Sequence, residues 1–293
     1  MNAPSENRFL SGTRQIARID RLVREDGDAR GTRLVRIVTG GGLEIEALPD
    51  RGLDIGTVAV DGIPVAWSAP APPAGPARFE PDGQGWLRTF SGGLLVTCGL
   101  DTFGAASVDG GTPLGQHGRA TALAAEHLST TVPDLDEDPP ELELSGTMRQ
   151  GVLFGENLLW RRTISAPLGG RTLRVADRIS NLGARPVPHL VLYHLNFGWP
   201  LVAPGAFVST NPDPAEVTAR DEASAVALDD WRSIPDAGSP DAPEQVLAHR
   251  LPAGTTISYR ISNEELRLSA AVTVDAAELP WLYQWRLFRR REY

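Results

Sequence analysis

The sequence predicts an all-β chain built as a large antiparallel sandwich with few short helices. Three observations predict it. Short runs with alternating apolar residues or β-branched enrichment recur along the 293 residues. Turn chemistry separates them: Gly40-Gly41-Gly42, Asp61-Gly62 and Gly169-Gly170. No stretch carries the periodicity of a long amphipathic helix, and no strand leads into a Gly-rich phosphate turn, which disfavours a nucleotide-binding α/β fold.

The elements follow in order. Residues 1–12 read as a flexible N-terminal arm, and residues 13–293 as one domain. Thr32 to Val38 and Leu43 to Leu48 fit strands, the second alternating apolar with acidic residues. Leu53 to Val60 and Ile63 to Trp67 flank Asp61-Gly62 as a hairpin. Residues 68–86 are crowded with Pro and Gly and read as a long irregular loop. Leu94 to Thr97, Glu126 to Val132, Glu141 to Met148, Leu158 to Ser165 and Thr172 to Ser180 resume the strands. The segment around His194 follows. Residues 203–247 read as excursions over a sheet edge with one helical turn near Leu228 to Trp231. Thr255 to Ile261, Leu266 to Val274 and Trp281 to Phe288 complete about fourteen strands.

Composition excludes several function classes. A net charge of -9 and a pI near 5.1 disfavour a nucleic-acid partner, because phosphate binding needs a basic footprint. All 28 basic residues are arginine, so no lysine is present for a Schiff base or a P-loop. Cys98 is the sole cysteine; it permits neither an intramolecular disulfide nor a thiolate metal cluster, and its apolar setting reads as buried and inert. HExxH and GxSxG motifs are absent. No signal-peptide pattern opens the chain, and no run approaches the ~20 apolar residues of a membrane helix. The expectation is a soluble cytoplasmic protein, monomer or homodimer, with no metal or other cofactor and no membrane partner.

The candidate chemistry centres on Val187 to Pro200, VPHLVLYHLNFGWP. Strand alternation puts Leu190, Leu192, His194 and Asn196 on one face and His189, Val191, Tyr193 and Leu195 on the other. Two readings are open: a core histidine held by a carbonyl, or a proton donor at the mouth of a sheet. Of the other histidines, His127 and His249 read as incidental. His117 lies in His117-Gly118-Arg119, so two histidines with an arginine and an amide would suit a neutral polyol. Asp50-Arg51-Gly52-Leu53-Asp54 is either a turn with a local ion pair or a turn that delivers an arginine to the site. Trp86, Trp199, Trp281 and Trp285 near loops and strand ends are either core or platforms for a sugar ring.

The segments LPDRGLDIG (48–56), GGLLVTCGLDTFG (92–104), HGR (117–119), FGENLLWRRTI (154–164), LYHLNFGWPL (192–201) and LPWLYQWR (279–286) together resemble the galactose mutarotase-like superfamily, in the branch of aldose 1-epimerase family proteins of unassigned function. The resemblance implies a β-supersandwich with a sugar-binding cleft. It implies interconversion of sugar anomers by acid-base chemistry, without a cofactor, on a small-molecule sugar or sugar derivative. His194 matches the general acid and His117 the histidine that orients the sugar; Arg119, Asn196, Arg51 and Asp54 would bind substrate. Arg51, Arg119 and Arg286 would also suit an acidic sugar. In the family the base is a glutamate in a Gly-Leu-Glu-Pro-like segment shortly after QWR. The sequence ends at Arg291-Glu292-Tyr293 before such a segment, and Glu292 stands too early to match. Two expectations follow: a chain cut short before its base, or a carbohydrate-binding protein without efficient turnover.

Overall fold

A computed structural model describes residues 10–135 and 140–289. Most of the expected arm and Glu292 lie outside the described residues. The chain divides into two compact units after Asn196.

The first unit contains thirteen strands among its described residues: β1 (Arg18–Val23), β2 (Arg33–Val38), β3 (Leu43–Leu48), β4 (Asp54–Val60), β5 (Ile63–Pro64), β6 (Leu95–Leu100), β7 (Ser107–Asp109), β8 (Thr112–Leu114), β9 (Glu126–Thr131), β10 (Glu141–Gly151), β11 (Asn157–Pro167), β12 (Arg174–Asn181) and β13 (Leu190–Leu195). A seven-stranded antiparallel sheet runs β1-β2-β3-β4-β6-β13, with β5 beside β4. A four-stranded sheet runs β12-β11-β10-β9, and β7 and β8 form a separate hairpin.

One face of each sheet makes the core. Ile37, Ile45, Ala47, Ile55 and Leu95 from the larger sheet meet Leu142, Leu144, Met148, Trp160 and Ile164 from the smaller. The alternation read in LEIEAL is the cause: Leu43, Ile45 and Ala47 are buried, while Glu44 and Glu46 face away. The Asp61-Gly62 turn has φ of 51° and 79°, the paired positive values of a type I′ hairpin turn. Gly41 answers a different need. A Cβ there would lie 2.0 Å from the Gly169 carbonyl oxygen, so the β2–β3 and β11–β12 turns can abut only through glycine.

The second unit holds β14 (Phe207–Asn211), β15 (Glu216–Ala219), β16 (Gln245–Arg250), β17 (Thr256–Asn263), β18 (Leu268–Asp275) and β19 (Trp281–Arg286). They form two three-stranded sheets, β14-β17-β18 and β15-β16-β19. Their core gathers Val208, Trp231, Leu247, Ile257 and Tyr259. Residues 203–247, read from sequence as excursions, thus contain β14, β15 and the start of β16. Two of these strands are short and prolines break up the segment, so no alternation is long enough to detect. The helical turn near Leu228 is displaced to Glu222–Ala225, where the Asp221 side chain accepts from the Ser224 N–H as an N-cap.

Candidate functional site

His194 stands on β13, the edge of the seven-stranded sheet, opposite Val96 of β6. Strand alternation sorts its neighbours as the sequence predicts. Tyr193 and Leu195 pack into the core between the sheets. Leu192 packs on the opposite face, in a small apolar cluster with Trp86, Val96 and Cys98. His194 shares that face and lies over the cluster, with ring centroids 6.2 Å from Trp86 and 5.7 Å from Phe90. Cys98 is fully buried, and burial raises its thiol pKa, which fits an inert packing role.

A tight loop brings His117 to the same place. The two imidazoles are 5.6 Å apart and perpendicular, and His117 lies 4.5 Å from the Trp86 ring. His117 takes a left-handed conformation with φ of 61°, and Gly118 follows with φ of 68°. Its backbone is locked: its N–H donates to the Gly104 carbonyl, and its carbonyl accepts from Gly99, each at 3.0 Å. A Cβ on Gly118 would come within 2.5 Å of the Gly99 oxygen, so this loop needs glycine there. Backbone strain held by such contacts is a common mark of functional sites.

The protonation pattern follows from the contacts. His117 Nδ1 accepts from the Gly104 N–H at 3.3 Å. The neutral ring therefore carries its proton on Nε2. Burial and the neighbouring His194 lower the His117 pKa to about 4. Burial also lowers the pKa of His194, against the pull of the Asn196 side chain and its own backbone. Nδ1 of His194 is buried without a hydrogen bond of good geometry. A buried polar atom left in this state calls for a partner.

The remaining sequence-predicted residues are placed differently. Asn196 is 9% exposed, and its amide donates to the Gly93 and His194 carbonyls, so it pins the end of β13. Arg119 pairs with Asp101 at 3.0 Å and with Glu156. That network anchors the base of the His117 loop. Asp54 lies inside the core. It bonds Arg162 at 2.7 Å and the Thr97 hydroxyl at 2.6 Å, and it is 1% exposed. Arg51 donates to the Ala74 carbonyl and the Thr121 hydroxyl and borders a separate cavity. The DRGLD turn thus sends its arginine and its second aspartate to different surroundings. Arg286 is 6% exposed and donates to the Asp230 and Ser233 carbonyls in the second unit. His249, fully buried against Trp231 and Tyr259, is a core residue. Trp199, Trp281 and Trp285 are exposed in the second unit.

Phe90 is the contributor that the sequence reading missed. It follows Trp86 by four residues across the short helix α1 (Trp86–Thr89). That spacing puts both rings on one side, where they stack at 4.3 Å. The signal was present but lay within a single helical turn beside a Pro/Gly-rich loop.

A protein-family model described as a domain of unknown function, DUF4432, matches residues 29–293. The chain belongs to this family. Among solved structures, a putative aldose 1-epimerase from Klebsiella pneumoniae subsp. pneumoniae is similar with a TM-score of 0.86 and 21% identity, over 95% of this chain and 74% of that one. A galactose 1-epimerase from Lactobacillus acidophilus is similar with a TM-score of 0.51 and 12% identity, over 84% of this chain and 79% of that one. No curated protein matches the chain significantly. The fold of this DUF4432 member is the galactose mutarotase-like β-sandwich. Among the described residues, no helix is long and apolar enough to cross a membrane.

Proposed function

We propose that this DUF4432 protein binds a sugar on the face carrying His117 and His194 and interconverts its anomers, with His194 as general acid. The observation that carries the reading is the perpendicular pair of half-buried imidazoles, 5.6 Å apart over the Trp86–Phe90 stack. Aromatic rings offer an apolar wall, while the imidazoles present hydrogen-bonding edges. His117, with its proton on Nε2, donates to a sugar oxygen and orients it. His194 protonates the ring oxygen as the anomeric hydroxyl loses its proton to a base. Ring opening, rotation about C1–C2 and closure then give the other anomer. The similarity in fold to proteins named for 1-epimerase activity supports this reaction class.

The lowered pKa of His194 shapes the expectation. A buried imidazole is mostly neutral at pH 7, so its acid form is the scarce one. Anomer exchange, followed by NMR exchange spectroscopy on a panel of aldoses and sugar acids, should quicken as pH falls from 7.5 to 6. His194→Ala should lower the rate about 10²–10⁴-fold, the usual contribution of one positioned acid. Full activity in that variant would sink the assignment.

The same lowered pKa values favour a second reading. Neutral imidazoles bind hydroxyl groups without transferring protons, as a carbohydrate-binding protein requires. Saturable sugar binding by the wild type with no acceleration of anomer exchange would select that reading.

A further inference from the structure

On the same sheet as His194 lies a second concavity, of about 100 Å³, whose walls include Arg51, Leu48, Gly56, Trp67, Ser68 and Gly93. Register places it. Ile55 pairs with Leu95, and both point into the core. The neighbouring Gly56 therefore opens to the opposite face, the one that carries Val96 and His194. The Trp67 ring lies 5.8 Å from Phe90, which in turn contacts His194. The cavity and the histidine pair are thus neighbours across one aromatic wall.

The charges around this cavity do not balance. Three arginines and two carboxylates border it. Arg33 holds Asp50 at 2.5 Å, and Arg24 lies 3.9 Å from Glu46. Arg51 is the cation left over. Its guanidinium donates to two neutral oxygens, Ala74 O and Thr121 Oγ1, both at a long 3.3 Å. Among the described residues it has no carboxylate within ion-pair distance. By contrast Arg162, a fully buried arginine that reaches Asp54 of this sheet, has two carboxylate partners, Asp54 and Asp177. A guanidinium carries five donors in a planar fork suited to a carboxylate. Burial lowers the pKa of Arg51, with Asp54 opposing, which marks a desolvated cation. Leaving such a charge without a counter-ion is costly, and an arriving anion relieves the cost.

We infer that Arg51 and its cavity form a carboxylate-binding subsite, so that the sugar taken by this protein is an acidic one, a uronate or a related sugar acid. The inference rests on the sugar-binding reading above and names its substrate class. The planar fork of guanidinium donors matches the two coplanar oxygens of a carboxylate. Ser68 and Ser91 at the wall can donate to an oxygen that the guanidinium does not reach.

Calorimetry on the full chain tests this with matched pairs: glucuronate against glucose, galacturonate against galactose, and glucose 6-phosphate as a second anion. In the wild type, at least one uronate should bind about tenfold or more tightly than its parent aldose, the scale of a hydrogen bond to a charged group. In Arg51→Gln that ratio should fall to near one, whatever the absolute affinities. In Arg51→Lys part of it should return. Equal binding of acid and aldose by the wild type, a preference that survives Arg51→Gln, or a preference for the phosphate over both uronates would overturn the proposal. If Arg51→Gln fails to fold by circular dichroism, the wild-type ratio at 50 and 500 mM NaCl decides: a ratio that collapses with salt supports the subsite, and one indifferent to salt refutes it. Failure of the turnover reading is visible separately. Uronate binding that depends on Arg51, with no anomer exchange, leaves the subsite standing and removes only the catalysis.

Discussion

Replacing Arg162 by Met should be among the most damaging single changes in the first unit. The guanidinium is fully buried. It donates to Asp54 at 2.7 Å, to Asp177 at 2.6 Å and to the Thr97 hydroxyl at 2.9 Å, and it lies 4.5 Å over the Trp160 ring. Burial opposes its charge, yet the two aspartates outweigh that and hold its pKa above the ordinary value. Arg162→Met preserves length and apolar contact but strands two carboxylates whose side chains are 1% and 3% exposed. Breaking a buried pair from one side typically costs about 3–5 kcal/mol. Whole domains are stable by only about 5–15 kcal/mol. Urea unfolding followed by circular dichroism and tryptophan fluorescence measures the loss. The decisive comparison is the triple variant Arg162→Met, Asp54→Asn, Asp177→Asn, which removes the stranded charges and should recover most of the loss. A cost below about 1 kcal/mol for Arg162→Met, or a triple variant no more stable than the single, would refute this account. The consequence reaches the site, because Thr97 of β6 and Tyr193 of β13 both join this network, one residue away from Val96 and His194.

Two further outcomes follow from the same geometry. Gly118→Ala should destabilise the protein by about 1–3 kcal/mol, because it forces a Cβ against the Gly99 carbonyl at a positive φ; it should also slow anomer exchange by misplacing His117, and a melting temperature equal to wild type would argue against strain there. Stability should fall as pH drops from 6.5 towards 4. His117 and His249 both titrate near 4 when folded, held down chiefly by burial, whereas unfolded histidines titrate near 6.5, so the unfolded chain binds more protons throughout that window. Each histidine contributes on the order of 3 kcal/mol at neutral pH that is lost across this range, and urea midpoints that stay flat between pH 6.5 and 5 would contradict it.

Much of this protein is legible in its sequence. Alternation in LEIEAL sets which residues enter the core, and Asp61-Gly62 sets a hairpin, because both signals act between near neighbours in the chain. The same local rule assigned His194 and Tyr193 to opposite faces. Motif resemblance singled out His117 and His194, and folding brings them together although they lie 77 positions apart in the sequence. What sequence could not decide is where a charged side chain finds its partner. Arg119 reads as a substrate ligand from its place beside His117 and Gly118, and the family resemblance adds Asp54. The fold instead gives Asp54 to Arg162 and Arg119 to Asp101 and Glu156, partners distant in the chain. Arg51, three residues from Asp54, is left without a carboxylate by that allocation. Backbone periodicity is a local property and is written in the order of residues. Charge pairing in a buried interior depends on which strands lie opposite one another, and only the tertiary structure settles that.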